Sequence, residues 1–384
     1  MTRQHWDIFC TVIDNYGDIG VTWRLARRLA HGYSLDVRLW VDDLASFARI
    51  TPGLDPALPQ QALAGIDIRR WPPSDFPADI VPADVVVEAF GCRLPDSFEQ
   101  AMAAKPAKPV WINLEYLSAE DWTRGCHKLP SPHPRLPLAK HFFFPGFDAA
   151  SGGLICEDGL IAAREAWQAD EEAQRDYWRR RNVPALSENE WKVSLFCYDN
   201  PAAAKLLQAW ADGPQPVRCL VPEGKAQAAV SSLFDHPLQV GEHAQLGRLT
   251  VDVLPMSDQD DYDRLLWSCD FNCVRGEDSL ARSQWAARPM LWHIYPQDDE
   301  AHLAKLLAFL DQYCQGLPDE AAAAIRELHL AWNRDGDIAA AWRAAARWLP
   351  AWRRHAANWQ QQLLQGGDLA QRLLQFVAEV AEIR

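Results

Sequence analysis

Basic residues are in short supply: 38 Lys and Arg stand against 52 Asp and Glu in 384 residues, a formal charge of −14. A nucleic-acid or anionic-membrane surface needs clustered Lys and Arg, so neither partner is expected. The nine cysteines are odd in number, scattered and without a Cys-x-x-Cys pair. Cys269 and Cys273 lie four apart with no neighbouring His, which points to reduced structural thiols instead of zinc ligands or a disulfide framework. No apolar run approaches the ~20 residues of a membrane span. Met1-Thr2-Arg3-Gln4-His5 runs straight into the first strand without an apolar signal segment, so a cytoplasmic soluble chain is expected. No internal repeat is visible.

What is present is a large apolar content, 48%, with 18 Trp, enough to build sizeable cores. The length exceeds what one core usually supports, so two domains are expected. Short β-rich runs at Ile8–Ile13, Val37–Val41, Ile66–Ile68, Val85–Val87, Val110–Ile112 and Phe142–Phe144 alternate with helix-like segments in the first half. That alternation predicts a parallel sheet covered on both faces. Pro130-Ser131-Pro132-His133-Pro134 reads as an irregular surface loop. Residues 159 to 181 read as charged helix, broken at Asn182-Val183-Pro184-Ala185. A second α/β series follows, with strands at Trp191–Phe196, Val217–Val221, Leu249–Leu254, Phe271–Val274 and Met290–His293. Beyond Asp299 the pattern is helical. The expected domains are 1–181, 182–350 and a closing helical segment, 351–384.

Two polar turns stand out. In Asp14-Asn15-Tyr16-Gly17-Asp18-Ile19-Gly20 a strand stops and a helix starts, with Val21, Leu25 and Leu29 on one face and Gly32 as the stop. Two glycines let backbone approach a ligand, free helix N–H groups point at it, and two carboxylates hang there. The plainer alternative is that Asp18 merely caps the helix. Val274-Arg275-Gly276-Glu277-Asp278-Ser279 is again a strand-to-helix turn, now with a fixed cation. Arg275 can grip a diphosphate in a bidentate way, with Asp278, Ser279 and the helix N-terminus beside it; the alternative is an exposed surface turn. Glu115 and Tyr116 sit past the end of a third strand, where ligands of open α/β sheets bind, although Glu115 could equally be an ordinary helix-start acid.

These residues carry a resemblance. Ile13–Val21, Asn113-Leu114-Glu115-Tyr116-Leu117-Ser118, Val274–Ser279 and Trp292-His293-Ile294-Tyr295-Pro296-Gln297-Asp298 resemble, in order and over nearly the whole length, the protein-arginine rhamnosyltransferases that mature bacterial elongation factor P. The resemblance implies an α/β GT-B fold: two Rossmann-like domains facing across a cleft, with C-terminal helices returning to the N-terminal domain. It implies inverting transfer of L-rhamnose from dTDP-β-L-rhamnose to one arginine of elongation factor P. Asp18 matches the general base, with Asp14 and Glu277 as further essential carboxylates. The donor site maps to Phe196, Tyr198, Met256, Gln259, Arg275, Gly276, Glu277, Asp278 and Ser279, with the backbone of Tyr16, Gly17 and Asp18; Glu115 and Tyr116 map to the acceptor. Family members can place a Phe against the thymine where this chain has Pro255-Met256, and a Met thioether can still pack against a ring. No metal or other cofactor is expected, and the chain is expected to act as a monomer.

A guanidinium holds its protons to a pKa above roughly 12, so full transfer to a carboxylate near 4 would be uphill by about 11 kcal/mol. Deprotonation should therefore accompany attack. The Asp260-Asp261 and Asp298-Asp299 pairs invite a metal reading, but each sits at an expected helix start, where acids belong. The rival readings are a GT-B enzyme with a small-molecule or cell-wall acceptor, a dinucleotide oxidoreductase, whose Gly-x-Gly-x-x-Gly the first turn lacks, and a silent nucleotide-sugar sensor.

Overall fold

The central strands are runs of consecutive buried residues, as expected where both faces of a sheet are covered. The computed structural model describes every residue except 1–2, 15, 72–75, 77–78, 185–186, 188, 298–299, 335 and 383–384. Asn15, Ala185, Asp298 and Asp299 thus lie outside the described residues. The chain divides into two compact units, Met1–Asp158 with Leu363–Arg384, and Gly159–Gln362.

The first unit holds strands β1 (His5–Cys10), β2 (Asp36–Val41), β3 (Gln60–Leu63), β4 (Ile66–Arg70), β5 (Val85–Ala89), β6 (Val110–Leu114), β7 (Pro130–Pro132) and β8 (Ala139–Phe143). They form one sheet in the order β3-β4-β2-β1-β5-β6-β8-β7. The six inner strands are parallel, while β3 and β7 run antiparallel at the two edges. The expected loop at Pro130–Pro134 is therefore partly a strand. Its prolines are tolerated because an edge strand needs donors on one side only. Phe9 anchors the core, stacked on Trp40 at 5.6 Å and edge-on to Trp71 and Phe98. After residue 362 the chain returns to this unit. Its last helix, Leu369–Glu382, lays Phe376 on Phe143, and the Arg28 guanidinium grips Asp368 at 2.8 Å.

The second unit holds β9 (Trp191–Leu195), β10 (Val217–Pro222), β11 (His243–Leu246), β12 (Leu249–Leu254), β13 (Phe271–Arg275) and β14 (Met290–His293), in the order β11-β12-β10-β9-β13-β14. All are parallel but β11, an edge strand that the sequence pattern leaves unassigned. The charged segment before it forms two helices, Leu160–Ala169 and Glu171–Arg180, and Tyr177 and Trp178 pack with Leu220, Leu254 and Leu265. In both sheets the order reverses beside the first strand: β1 lies between β2 and β5, and β9 between β10 and β13. Such a switch point leaves a crevice at the strand C-termini.

Candidate functional site

Both conspicuous turns lie at these switch points. In the first unit β1 leads through residues 11–16 into the helix Gly17–Arg27, which closes in a single π turn, Arg28–Gly32. Its buried stripe runs through Ile19, Leu25, Ala26 and Leu29; Val21, expected on that stripe, is only partly buried. The N-cap residue Tyr16 makes no side-chain cap bond. Asp18, 3% exposed, turns back instead, and its Oδ2 accepts the backbone N–H groups of Ile13 and Asp14, each at 2.8 Å. The carboxylate thus shapes the loop that leads into the helix. Asp14 lies against the next bend: a Cβ on Gly17 would fall 2.9 Å from its Oδ2, so the glycine makes room for the carboxylate. Asp14 and Asp18 are brought together at the switch point.

Two strands away along the same edge, β6 ends at Leu114 and Glu115 follows, its N–H on the Phe143 carbonyl. Asn113, 4% exposed, donates its amide to Glu115 Oε1 at 2.6 Å and so orients that carboxylate. The next helix begins at Asp121, so Glu115 is not a helix-start acid. Tyr116 stacks on Phe90 at 4.8 Å, and Phe90 holds a left-handed backbone just past β5. Phe90 was not singled out by sequence; a bulky residue at positive φ leaves no composition signal.

In the second unit Arg275, the last residue of β13, is 7% exposed. Its guanidinium lies 4.2 Å from the Phe196 ring centre and 4.9 Å from that of Tyr198, and it donates to the Cys197 carbonyl at 3.4 Å. Phe196 to Tyr198 extend β9, the neighbouring strand, so the switch point itself makes this aromatic cradle. Gly276 turns the chain at φ 61, and the Trp292 indole donates to its carbonyl at 2.9 Å. Glu277 then precedes the helix Asp278–Ala286, whose N-terminus opens three residues after Arg275. Gln259, first residue of the helix Gln259–Ser268, reaches Asp278 at 3.5 Å. A buried bidentate pair, Arg282 with Asp263, locks these two helices together. Ser279 is buried, and partly buried Met256 lies just beyond β12.

His293 ends β14 against the edge of Tyr198, and burial, with His302 and Arg275 adding to it, pushes its pKa down to about 4. The ring stays neutral beside the Arg275 cation. Lys305, which the motifs do not contain, lies against Glu277, its Nζ 2.7 Å from Oε1. It stands on a different helix, a pairing across the fold that no local pattern announces.

Asp260 and Asp261 occupy a first helical turn, where Asp261 pairs with Arg181 and Arg264. Among the described residues no three His, Cys, Asp or Glu side chains converge as a metal site, and no helix is long and apolar enough to cross a membrane. All nine cysteines are free, and all but Cys126 are buried.

Residues 6–378 match the family described as elongation-factor P (EF-P) rhamnosyltransferase EarP. Protein-arginine rhamnosyltransferases of Pseudomonas putida and Pseudomonas aeruginosa are 52% and 50% identical to this chain, each over 97% of it and over 98% and 99% of their own lengths. A solved structure described as the structural basis for EarP-mediated arginine glycosylation of translation elongation factor EF-P superposes with a TM-score of 0.71 at 39% identity, over 98% of this chain and 99% of that one. Arabidopsis thaliana UGT89C1 complexed with UDP-L-rhamnose, 10% identical with a TM-score of 0.51, covers 99% of this chain and 100% of its own, and shares the fold alone. The architecture is GT-B, with two Rossmann-like domains.

Proposed function

Because the chain belongs to the EarP family and is a protein-arginine rhamnosyltransferase, we propose that its donor is dTDP-β-L-rhamnose, its acceptor one arginine of elongation factor P, and its transfer inverting. The family sets aside the oxidoreductase, and the relatives' arginine activity sets aside a cell-wall or small-molecule acceptor. The observation that carries the donor reading is the buried Arg275 guanidinium between Phe196 and Tyr198, beside a helix N-terminus. A fixed planar cation and free N–H groups are the chemistry that holds a diphosphate and stabilises it as it departs. Phe196, Tyr198, Met256, Gln259, Asp278 and Ser279 would line the nucleotide.

In the reaction a guanidinium nitrogen bonds to the anomeric carbon from the face opposite the diphosphate. The C–O bond to phosphate breaks and its electron pair leaves with dTDP. A proton passes from the guanidinium to Asp18 as the new bond forms, so the product arginine remains cationic. Asp14 and Glu277 hold the cation and draw a lone pair onto one nitrogen. Glu115, oriented by Asn113, and Tyr116 serve the acceptor arginine. Arg275 and the helix N-terminus supply the positive field at the leaving group, so transfer needs no metal. A translation-factor acceptor places the reaction in the cytoplasm.

Purified protein with dTDP-β-L-rhamnose and elongation factor P, followed by intact mass, tests this directly. One deoxyhexose per acceptor is expected, α-linked by NMR, with the same rate in excess chelator. Lysine in place of the acceptor arginine should abolish transfer, because a compact ammonium cannot span two carboxylates as a planar fork does. A β-linked product refutes inversion, loss of rate in chelator refutes the metal-free scheme, and a modified lysine refutes the guanidinium clamp.

A further inference from the structure

Glu277 raises an electrostatic problem: a carboxylate one residue from the Gly276 bend stands beside the place assigned to an anionic diphosphate. Lys305 answers it. Its ammonium lies 2.7 Å from Glu277 Oε1, and the two side chains are 20% and 18% exposed, unlike open surface pairs such as Arg175 with Glu171 at 69% and 85%. The contact is held from two directions. Lys305 and Phe309 stand one turn apart on the helix Ala301–Tyr313, and Phe309 packs edge-on to Trp292 at 5.4 Å. The Trp292 indole donates to the Gly276 carbonyl, the residue before Glu277. One helix face therefore braces the turn through an aromatic pair and meets its carboxylate with a cation four residues earlier.

We propose that Lys305 is a positioning residue of the donor site: it holds the Glu277 carboxylate in place and cancels its charge, so that a nucleoside diphosphate-sugar binds beside an acid that would otherwise repel it. The proposal deepens the donor-site reading given above and rests on it. Glu277 keeps a fixed direction for the acceptor cation, while the diphosphate meets no net negative charge from the turn.

Calorimetry with dTDP-β-L-rhamnose, without acceptor, tests this in five proteins: wild type, Lys305→Met, Lys305→Arg, Glu277→Gln and the Glu277→Gln/Lys305→Met double variant. Lys305→Met should weaken donor binding about 10-fold, since the Glu277 carboxylate loses the cation held 2.7 Å from it while standing near a second anion. Lys305→Arg should stay within about three-fold of wild type, since the charge is kept. In a Glu277→Gln background, adding Lys305→Met should change affinity less than two-fold, because the Glu277 charge that Lys305 offsets is already gone. A tenfold loss in both backgrounds means that Lys305 only supports the helix, and this overturns the proposal, as does undiminished binding by Lys305→Met. Wild-type protein that binds no dTDP-rhamnose would instead overturn the donor site itself, and the proposal with it.

Discussion

Asp18 does two things at once, and substitutions can separate them. Its Oδ2 accepts two backbone N–H groups at 2.8 Å, and the side chain is buried, so the loop that carries Asp14 is tied to this carboxylate. A hydrogen bond to a charged group contributes about 1.5–3 kcal/mol net. Ile13 is 65% exposed, so water can reach part of this loop and the lower end applies. Asp18→Ala should then cost about 2–3 kcal/mol, a fall in Tm of roughly 5–10 °C for a unit of this size. Asp18→Asn keeps an oxygen acceptor at the same place and should cost about 1 kcal/mol, roughly 2–4 °C. Both remove the proton acceptor, so both should lower kcat by about 10²- to 10⁴-fold, with donor affinity in Asp18→Asn within a few-fold of wild type. Calorimetric melts, donor titration and intact-mass turnover give the three readings. An Asn variant that turns over within ten-fold of wild type refutes the base assignment. An Ala variant that melts with wild type refutes the organising role.

Arg275→Ala should weaken dTDP-rhamnose binding about 30-fold, the loss of a charge-assisted contact worth roughly 2 kcal/mol; unchanged affinity by calorimetry would contradict its place on the diphosphate. His329 lies wholly buried in the helix Asp319–Asn333, with Nδ1 2.9 Å from the Ile325 carbonyl, and burial lowers its pKa from 6.5 to about 4. The unfolded chain therefore binds the proton more tightly, so the stability this group contributes is complete above pH ~6.5 and is lost as pH falls toward 4, by about 3 kcal/mol in all. Denaturant unfolding at pH 7.5 and 4.5 should show a smaller acid loss in His329→Leu than in wild type, and an equal loss would refute the assignment.

The strands, most helices and both polar turns were legible in the sequence because their signals are local. Continuous apolar runs mark strands buried on both faces. Asp42 and Asp43 read as a cap before a helix over Leu44–Ile50, and of the two Asp43 is the N-cap, accepting the N–H groups of Ala45 and Ser46. The motifs around Asp18 and Arg275 name a chemistry because residue types and spacing survive without coordinates. Gln60–Leu63, Pro130–Pro132 and His243–Leu246 were not legible as strands: each is a short edge strand whose only instruction is the neighbour it pairs with. The direction of Asp18, back onto its own loop instead of capping its helix, was left open by its position alone. Tertiary structure also decided that Arg275 lies between Phe196 and Tyr198, that Arg282 and Asp263 tie two helices, and that Lys305 meets Glu277. These partners are separated by tens of residues along the chain, and sheet order and helix packing bring them together. The sequence by itself determined which groups are available and what chemistry they can do; the fold decided which of them touch, because contact between distant residues depends on strand order and packing that no local spacing encodes.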